Sequence, residues 1–222
     1  MKQTPIHDVH NPDLLRFIPS HSMHVIEIGC SSGALAREFK IINPTCQYLG
    51  IDIEPSYVEL AKRFCDQVEV VNIESQGEDF YGRHTGKDCW VFADTLEHLS
   101  DPWRILREIR KVIPAHGTIV ASIPNVQHWS VFAKLSVGDF RYVDSGIFDR
   151  THLRWFTRQT INEMFNECGF SIVQGGPRIF DEPEREKFLP LIGEMARTFG
   201  ANAKEAMNDA MAYQFILRAV PA

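Results

Sequence analysis

The sequence predicts an α/β fold of the doubly wound class, with a mostly parallel sheet covered by helices. Three observations carry this prediction. Short apolar runs alternate with helical patterns between Met23 and Pro124. The runs are almost continuously apolar, as in strands whose two faces are both covered. Several helical patterns begin at a capping residue or a proline. Ligands of such folds bind beyond the carboxyl ends of the strands, so the residues that end each strand are the candidate site.

The first half of the chain justifies these elements in order. A short helix is expected after Asn11, which serves as N-cap with Pro12 at the first helical position. Helices are predicted over 33–42, 54–65 and 100–113, the last with Ser100 or Asp101 as cap and Pro102 at its start. Strands are predicted over residues 23–28, 46–52, 68–74, 87–94 and 118–124.

The second half is less regular. A helix is expected from the cap at Thr157 to Gly169, then a sixth strand over 171–176 and a terminal strand over 212–220. Between these strands lies a helical insertion around 181–211, which we expect to be broken near Pro190 and Gly200. Core packing on the sheet is the simpler interpretation of the insertion, and a lid or a homodimer contact is the alternative. We predict one domain covering the whole chain, 1–222.

Composition excludes several classes of protein. The 222 residues carry a net charge of −6 with scattered Lys and Arg, which argues against a nucleic-acid groove. The five cysteines lie far apart without a C-x-x-C pair, as expected of reduced, buried thiols. The N-terminal stretch lacks the apolar core of a signal peptide, and no window approaches the ~18 apolar residues of a membrane helix. We therefore expect a cytoplasmic protein without membrane insertion.

The stretch GCSSG, from Gly29 to Gly33, follows the first strand and admits three interpretations. As G-x-S-x-G it matches the nucleophile elbow of hydrolases, with Ser31 as the nucleophile. That motif needs earlier strands to build its oxyanion hole, and only one short helix precedes it here. A purely structural interpretation, in which Ser31 and Ser32 cap the next helix, is compatible with any ligand.

The same stretch also fits a cofactor loop. Asp52 ends the second strand 19 positions after Gly33, a suitable place to hold a ribose diol. However, Ser31 replaces the glycine that lets a pyrophosphate approach, and the carboxylate of Glu27 lies two residues before Gly29. A carboxylate repels an anion and attracts a cation. The pattern favours a positively charged nucleoside without phosphates over a nicotinamide cofactor.

These residues carry a resemblance to the class I S-adenosylmethionine (SAM)-dependent methyltransferases. E-x-G-x-S-x-G resembles the first motif of that family, D/E-x-G-x-G-x-G, with Ser31 in place of its middle glycine. The segment 92–125 resembles the fourth and fifth motifs of the small-molecule branch. The resemblance implies a seven-stranded Rossmann-like methyltransferase fold with an antiparallel terminal strand, and SAM as cofactor. It implies that SAM contacts Glu27, Gly29, Ser31, Gly33, Asp52, Ile53, Asn72, Ile73, Glu74, Asp94 and Thr95.

Two histidines are the candidate bases. His98 follows the fourth strand and titrates in the useful range, and the nearby carboxylates of Asp94 and Glu97 are expected to raise its pKa. His152 lies in the stretch DRTHLRWFT, which also holds Asp149 and resembles a D-x-T-H-L-R-x-F-T signature. That signature belongs to a branch linked to bacterial saccharide and cell-surface glycan synthesis. For both histidines a purely structural role stays open.

Four further residues are candidates for binding the acceptor. Asn125, His128 and Trp129 follow the fifth strand, and Arg154 belongs to the DRTHLRWFT stretch. A core position for Trp129 and an ion-pair network around Arg154 are the structural alternatives. No tight ligand spacing such as H-x-x-x-H is present, so no metal is predicted.

The sequence thus predicts SAM-dependent methyl transfer, with a hydroxyl of a small molecule as the acceptor. The resemblance alone suggests a saccharide or a saccharide-linked intermediate. N-methylation of a small amine, a SAM-binding regulatory protein without turnover, and a nicotinamide-dependent reductase are the alternatives.

Overall fold

Seven strands form one sheet in the computed structural model, which describes residue 5 and residues 8–222. The strands are β1 (His24–Ile28), β2 (Gln47–Asp52), β3 (Gln67–Val70), β4 (Cys89–Ala93), β5 (Thr118–Pro124), β6 (Phe170–Arg178) and β7 (Gln214–Pro221). Their order across the sheet is β3-β2-β1-β4-β5-β7-β6, and β7 pairs antiparallel with both of its neighbours. The other pairs in the sheet are parallel. The predicted fold class is confirmed.

The helices between these strands are α1 (Pro12–Phe17), α2 (Ala34–Ile42), α3 (Pro55–Ala61), α4 (Glu78–Arg83), α5 (Pro102–Val112), α6 (Trp129–Ser136), α7 (Arg158–Glu167), α8 (Arg185–Thr198) and α9 (Ala203–Met211). Short polar side chains begin several of them, as predicted. The side chains of Asn11 and Asp101 accept hydrogen bonds from first-turn amides of α1 and α5. Thr157 forms a reciprocal capping box with Thr160 at the start of α7.

Two apolar cores cover the two faces of the sheet. One contains Trp90, Phe92 and Ile105, and the other contains Phe39 and Tyr48. Because β1, β4 and β5 contribute to both cores, these strands are apolar along almost their whole length. The buried strands fix the positions at which their carboxyl ends emerge, and a cleft opens there.

The structure differs from the sequence predictions in three places. Helices α4 and α6 were not predicted, since their short segments lack a clear helical period. The insertion does not break at Pro190, because α8 continues through it. Nor does the insertion pack chiefly on the sheet: Leu189 and Ile192 of α8 pack with α9 and with Trp129 and Phe132 of α6. The insertion buries its apolar residues in this separate small core.

None of the helices in the described part of the chain has the length and apolar character that a membrane span requires.

Candidate active site

A cleft of about 710 Å³ opens at the carboxyl ends of β1, β2, β4 and β5. This is the edge at which ligands of doubly wound sheets bind. One half of the cleft is formed by the glycine bend after β1 and by the end of β2. The other half is formed by the loop after β4 and by the DRTHLRWFT stretch.

The glycine bend runs through three left-handed residues, Gly29 (φ 79°), Ser31 (φ 48°) and Gly33 (φ 77°). A side chain at Gly29 would place its Cβ 2.7 Å from Oγ1 of Thr95, so only glycine fits there. Ser31 adopts a conformation that favours glycine, which explains why the family motif has glycine at this position. The bend therefore brings backbone, rather than side chains, against the floor of the cleft.

Asp52 holds the bend in place from the end of β2. Its Oδ2 accepts a hydrogen bond from the amide of Ser31 at 2.9 Å, and its Oδ1 accepts one from the amide of Glu54 at 2.9 Å. A carboxylate has about four lone-pair sites, so both oxygens retain capacity for ribose hydroxyls. Burial raises the pKa of Asp52, while the backbone amides of Glu54 and Ser31 oppose that rise.

Glu27 lies on β1 below the bend and is only 2% exposed. Its Oε2 accepts a hydrogen bond from the hydroxyl of Tyr48 at 2.9 Å. Burial raises the pKa of Glu27 to about 8, and the hydroxyl of Tyr48 counteracts only part of that rise. A buried carboxyl that lines a cleft and resists ionisation becomes a strong partner for a cation that enters. A pyrophosphate would find no such partner.

The remaining residues predicted for the cofactor also line the cleft. Ile53, Asn72 and Ile73 lie beside the bend, as does Glu74. The carboxylate of Glu74 is already engaged, since it accepts hydrogen bonds from the amides of Ser100 and Asp101. We therefore assign Glu74 to holding the 72–75 turn against the start of α5.

Asp94 joins the two halves of the cleft. It ends β4 in a left-handed conformation (φ 52°), which is uncommon for a residue other than glycine. Its Oδ1 accepts a hydrogen bond from the side-chain amide of Gln214 at 2.6 Å, and its backbone amide donates to Ser122. The neighbouring Thr95 donates its hydroxyl to the carbonyl of Ile28 at 2.8 Å. These contacts lock the loop after β4 to β1, β5 and β7.

The other half of the cleft contains Glu97, His98 and His152, which we call the histidine–glutamate cluster. One ligand atom from each of the three side chains lies within 4.8 Å of the other two. The two imidazole rings meet edge to face with centroids 4.7 Å apart. Nε2 of His152 lies 3.9 Å from Oε1 of Glu97. The amides of Leu153 and Arg154 donate to the carbonyl of Glu97, which fastens the DRTHLRWFT stretch to the loop after β4.

A relay of hydrogen bonds orients His98. The hydroxyl of Thr151 donates to Oδ1 of Asp149 at 2.6 Å, so its oxygen is left to accept from Nδ1 of His98 at 3.0 Å. Nδ1 of His152 in turn donates to the carbonyl of Ile147 at 3.1 Å. Both rings therefore carry their proton on Nδ1 and present the lone pair of Nε2. Asp149 thus fixes the hydroxyl of Thr151, which in turn orients His98.

Burial sets the charge of this cluster. It is the main cause that lowers the pKa of His98, and it lowers the pKa of His152 to about 4 with help from His98. Burial also raises the pKa of Glu97 well above its usual value, reinforced by the negative charges of Asp94 and Asp149. The predicted rise in the pKa of His98 is therefore wrong, because desolvation of the ring outweighs the nearby carboxylates. At neutral pH both imidazoles are uncharged.

Comparison with known proteins decides the family. A family profile described as "Methyltransferase domain" matches residues 9–175, which is most of the chain. The chain belongs to this methyltransferase family. The family uses SAM as its methyl donor. The glycine bend with Glu27 and Asp52 fits that cofactor, which combines a ribose diol with a sulfonium cation.

Similar proteins are named as methyltransferases. A ubiquinone biosynthesis O-methyltransferase from Coxiella burnetii is 26% identical over 134 residues, which are 56% of this chain and 54% of that protein. The chain thus spans about half the length of these curated relatives. A demethylmenaquinone methyltransferase from Thermotoga maritima is 26% identical over 167 residues, 67% of this chain and 70% of that protein.

Solved structures share the fold of this methyltransferase at low sequence identity. A SAM-dependent methyltransferase from Thermotoga maritima, described as a possible histamine N-methyltransferase, superposes with a TM-score of 0.62 at 12% identity. The alignment covers 94% of this chain and 86% of that one. The magnesium protoporphyrin IX methyltransferase of Synechocystis PCC 6803 with bound SAH gives 0.60 at 14% identity, covering 94% and 78%.

Among the described residues that line the cleft, none of the four residues predicted to bind the acceptor occurs. The side-chain amide of Asn125 donates to the carbonyls of Asp209 and Ala212 and is fully buried. Nε2 of His128 and Nε1 of Trp129 both lie within hydrogen-bond distance of Oε2 of Glu182, at 3.1 and 2.9 Å. Arg154 donates to the carbonyl of Ser100. In this structure the four side chains bond to neighbouring segments outside the cleft, and their part in acceptor binding stays a prediction.

Sequence reasoning missed several residues that shape the site. Tyr48 and Gln214 bond to Glu27 and Asp94 across the sheet, and no local pattern signals such contacts between distant residues. Thr151 was visible within the DRTHLRWFT stretch but was given no role. Tyr213 and Arg178 also line the cleft. Arg178 ends β6 and Tyr213 directly precedes β7, outside the segments that carry the family motifs.

Proposed function

We propose that this protein transfers the methyl group of SAM to a hydroxyl of a small acceptor. One observation carries the proposal: a single cleft holds a cradle suited to a cationic nucleoside and, in its other half, two uncharged imidazoles beside a buried carboxyl. Such an arrangement provides both alignment and a way to remove a proton. Methyl transfer to oxygen requires these two things from the protein.

In the cofactor half, we assign the ribose diol to Asp52 and the positively charged end of SAM to the side of Glu27. Asn72, Ile73 and Ile53 border the place where the adenine would lie. The left-handed bend supports the assignment, because it lets the cofactor rest against backbone without a phosphate to accommodate.

In the acceptor half, the histidine–glutamate cluster receives the hydroxyl. An oxygen lone pair forms the new bond to the methyl carbon while the carbon–sulfur bond breaks and its electron pair stays on sulfur. The hydroxyl proton passes to an Nε2 lone pair of His98 or His152 and then to solvent. The products are a methyl ether and uncharged S-adenosylhomocysteine (SAH). Both histidines are candidate catalytic residues, and Asp149 positions His98 through Thr151.

The acceptor we propose is a saccharide or a saccharide-linked intermediate. The D-x-T-H-L-R-x-F-T resemblance supports it, and so does the polar wall of this half, to which Ser145, Asp149 and Gln214 contribute. The O-methyltransferases among the similar proteins support oxygen as the methylated atom.

N-methylation of a small amine is the second candidate. The observation that favours it is the acidic character of the acceptor half, where Asp94, Glu97 and Asp149 all line the cleft. An amine would need no base once it is uncharged. The two candidates differ in their dependence on the histidines, and the experiment uses this difference.

The first prediction tests this proposal. Labelled SAM is incubated with sugar nucleotides, glycolipid precursors, phenols and amines, and transfer of label is measured. We expect label on a hydroxylated acceptor, and we expect His98→Gln and His152→Gln to lower its rate by ~10²–10⁴-fold. Affinity for SAH, measured by calorimetry, should stay unchanged, since neither ring belongs to the cofactor half. His128→Gln, a buried histidine outside the cleft, is the matched control.

Three outcomes would change the conclusion. Label only on amines, with both histidine variants fully active, makes the protein an N-methyltransferase. SAH binding without any labelled product makes it a regulatory protein. Binding of NADH but not of SAH refutes the cofactor assignment.

We also propose that residues 1–222 act as a single domain in the cytoplasm, with the 181–211 insertion as part of it. A homodimer stays a prediction, which light scattering of the purified protein measures.

A further inference from the structure

We propose that the histidine–glutamate cluster is a binding site for a divalent transition metal of the Zn²⁺ type. The three donors are Glu97, His98 and His152, whose ligand atoms lie within 4.8 Å of one another. A tetrahedral zinc site with bonds of about 2.0–2.1 Å holds its ligand atoms roughly 3.3 Å apart. The largest separation exceeds this by about 1.5 Å, which side-chain rotations that move each ligand atom by about 1 Å would close.

The rings are already prepared for a metal. Metal-bound histidines donate their second ring N–H to a carbonyl, a carboxylate or a similar acceptor, which fixes the tautomer. Here Nδ1 of His152 donates to the carbonyl of Ile147, and Nδ1 of His98 donates to the hydroxyl of Thr151. That hydroxyl is itself fixed by Asp149. Both Nε2 lone pairs are left for a ligand.

Glu97 supplies a second, independent observation. Its side chain is 1% exposed and lines the cleft, and neither carboxylate oxygen has a hydrogen-bond partner among the described residues. A buried carboxyl without partners costs stability, and proteins rarely retain one without a purpose. A cation bound by this carboxylate and two imidazoles would satisfy it.

The donor set selects the kind of metal. Two imidazoles and one carboxylate suit Zn²⁺ and related transition metals, whereas Mg²⁺ and Ca²⁺ prefer oxygen ligands. Asp94 and Asp149 lie nearby on the cleft wall and add a negative field that favours a cation.

Three protein ligands would leave one tetrahedral position open, and all three residues line the cleft. This part of the inference rests on the proposed function: an acceptor hydroxyl bound at the open position would lose its proton more readily, because a metal lowers the pKa of a bound hydroxyl. The metal would then replace Nε2 as the means of activating the acceptor.

The second prediction is tested on tag-free protein without SAM or acceptor. ZnCl₂ is titrated by calorimetry after treatment with a chelator, and MgCl₂ is titrated in parallel. We expect one Zn²⁺ per chain and no comparable Mg²⁺ binding. Glu97→Gln and His152→Gln should abolish this site, and Thr151→Val should weaken it by ~10–100-fold because His98 loses its orienting partner. His84→Gln is the control, since His84 is also buried with an unpartnered Nε2 but lies outside the cleft.

Circular dichroism shows whether each variant is folded. If one is not, the absorption spectrum of Co²⁺ bound to the natural protein reports whether nitrogen and oxygen ligands form a four-coordinate site. Absence of Zn²⁺ binding, or equal binding by the Glu97→Gln, His152→Gln and natural proteins, overturns the metal site. Labelled product from the metal-free protein would leave the proposed function intact and refute the metal's part in it. Zn²⁺ binding without any methyl transfer would support the metal site and refute the proposed function.

Discussion

Glu27 is the residue at which a cost in folding stability accompanies the proposed binding of SAM. Its carboxyl is buried beneath the glycine bend and has one hydrogen-bond donor, Tyr48. Burial raises its pKa from 4.5 to about 8. In the folded protein it therefore keeps its proton at pH values where the unfolded chain has lost it. The folded state is disfavoured to that extent, and a cation bound beside Glu27 would favour its ionised form.

The third prediction follows from the sign of this shift. Between about pH 4.5 and 8 the folded state binds more protons through Glu27 than the unfolded state does, so this residue lowers stability as pH rises. Glu27→Gln cannot ionise and still accepts the bond from Tyr48. We expect its free energy of unfolding to exceed that of the natural protein by a margin that grows with pH, up to a few kcal/mol, at about 1.4 kcal/mol per pKa unit.

Urea unfolding at pH 5, 6.5 and 8 measures this margin, with the exposed Glu59→Gln as control. Parallel pH profiles for Glu27→Gln and the natural protein would contradict the prediction. Affinity for SAM should fall in the same variant, because the carboxylate that meets the cation is gone.

At the scale of elements, α8 forms although its sequence contains a proline, a residue that disfavours the interior of a helix. It contains Pro190, which lacks the N–H that would donate to the carbonyl of Glu186 four residues earlier. The helix nevertheless persists because Leu189 and Ile192, on either side, are buried against α9 and α6. Tertiary packing here outweighs a cost of ~3 kcal/mol.

The fourth prediction is that Pro190→Ala stabilises the protein by roughly 1–2 kcal/mol. The substitution restores a helical hydrogen bond, and the gain is reduced by the greater freedom of the unfolded chain. The position is exposed, so no packing is lost. Urea unfolding measures the gain, and Pro183→Ala, just before the helix, is the control that should show none. A loss of stability in Pro190→Ala would mean that the proline is needed where it stands.

At the scale of the whole molecule, the last strand completes both the core and the cleft. Strand β7 inserts between β5 and β6, although those two strands precede it in the chain. It sends Leu217 into one core and Ile216 into the other, while Gln214 at its start bonds to Asp94 in the cleft. Both apolar cores and the cleft are therefore complete only when β7 has paired with β5 and β6.

The fifth prediction concerns this strand. Leu217 is 2% exposed and lies opposite Ala121 of β5 and Gly175 of β6. Leu217→Ala should lower the free energy of unfolding by ~2–5 kcal/mol through the cavity it leaves. Val173→Ala, on the neighbouring strand but 54% exposed, is the control and should cost well under half as much. Equal losses in chemical denaturation would show that β7 does not carry the core.

The sequence by itself determined the features that depend on local physics. Continuous apolar runs between helical patterns predicted the strands, and caps at Asn11, Asp101 and Thr157 helped to predict most of the helices. Both signals are local, because hydrophobic period and capping act over a few residues. The glycine bend and Asp52 were also predictable, since left-handed turns and strand ends restrict residue types within short stretches. These local features were sufficient to predict the fold class, which is confirmed, and to select SAM over a phosphate-bearing cofactor.

Only the tertiary structure decided what depends on contacts between distant segments. It brought His152 to Glu97 and His98 across more than 50 positions, and it withdrew Asn125 and His128 into buried hydrogen bonds. It also lowered the pKa of both cluster histidines, because desolvation depends on everything packed around a ring and not on its neighbours in sequence. A ligand set assembled from two loops leaves no spacing in the sequence to find, so the candidate metal site emerged only from the folded chain.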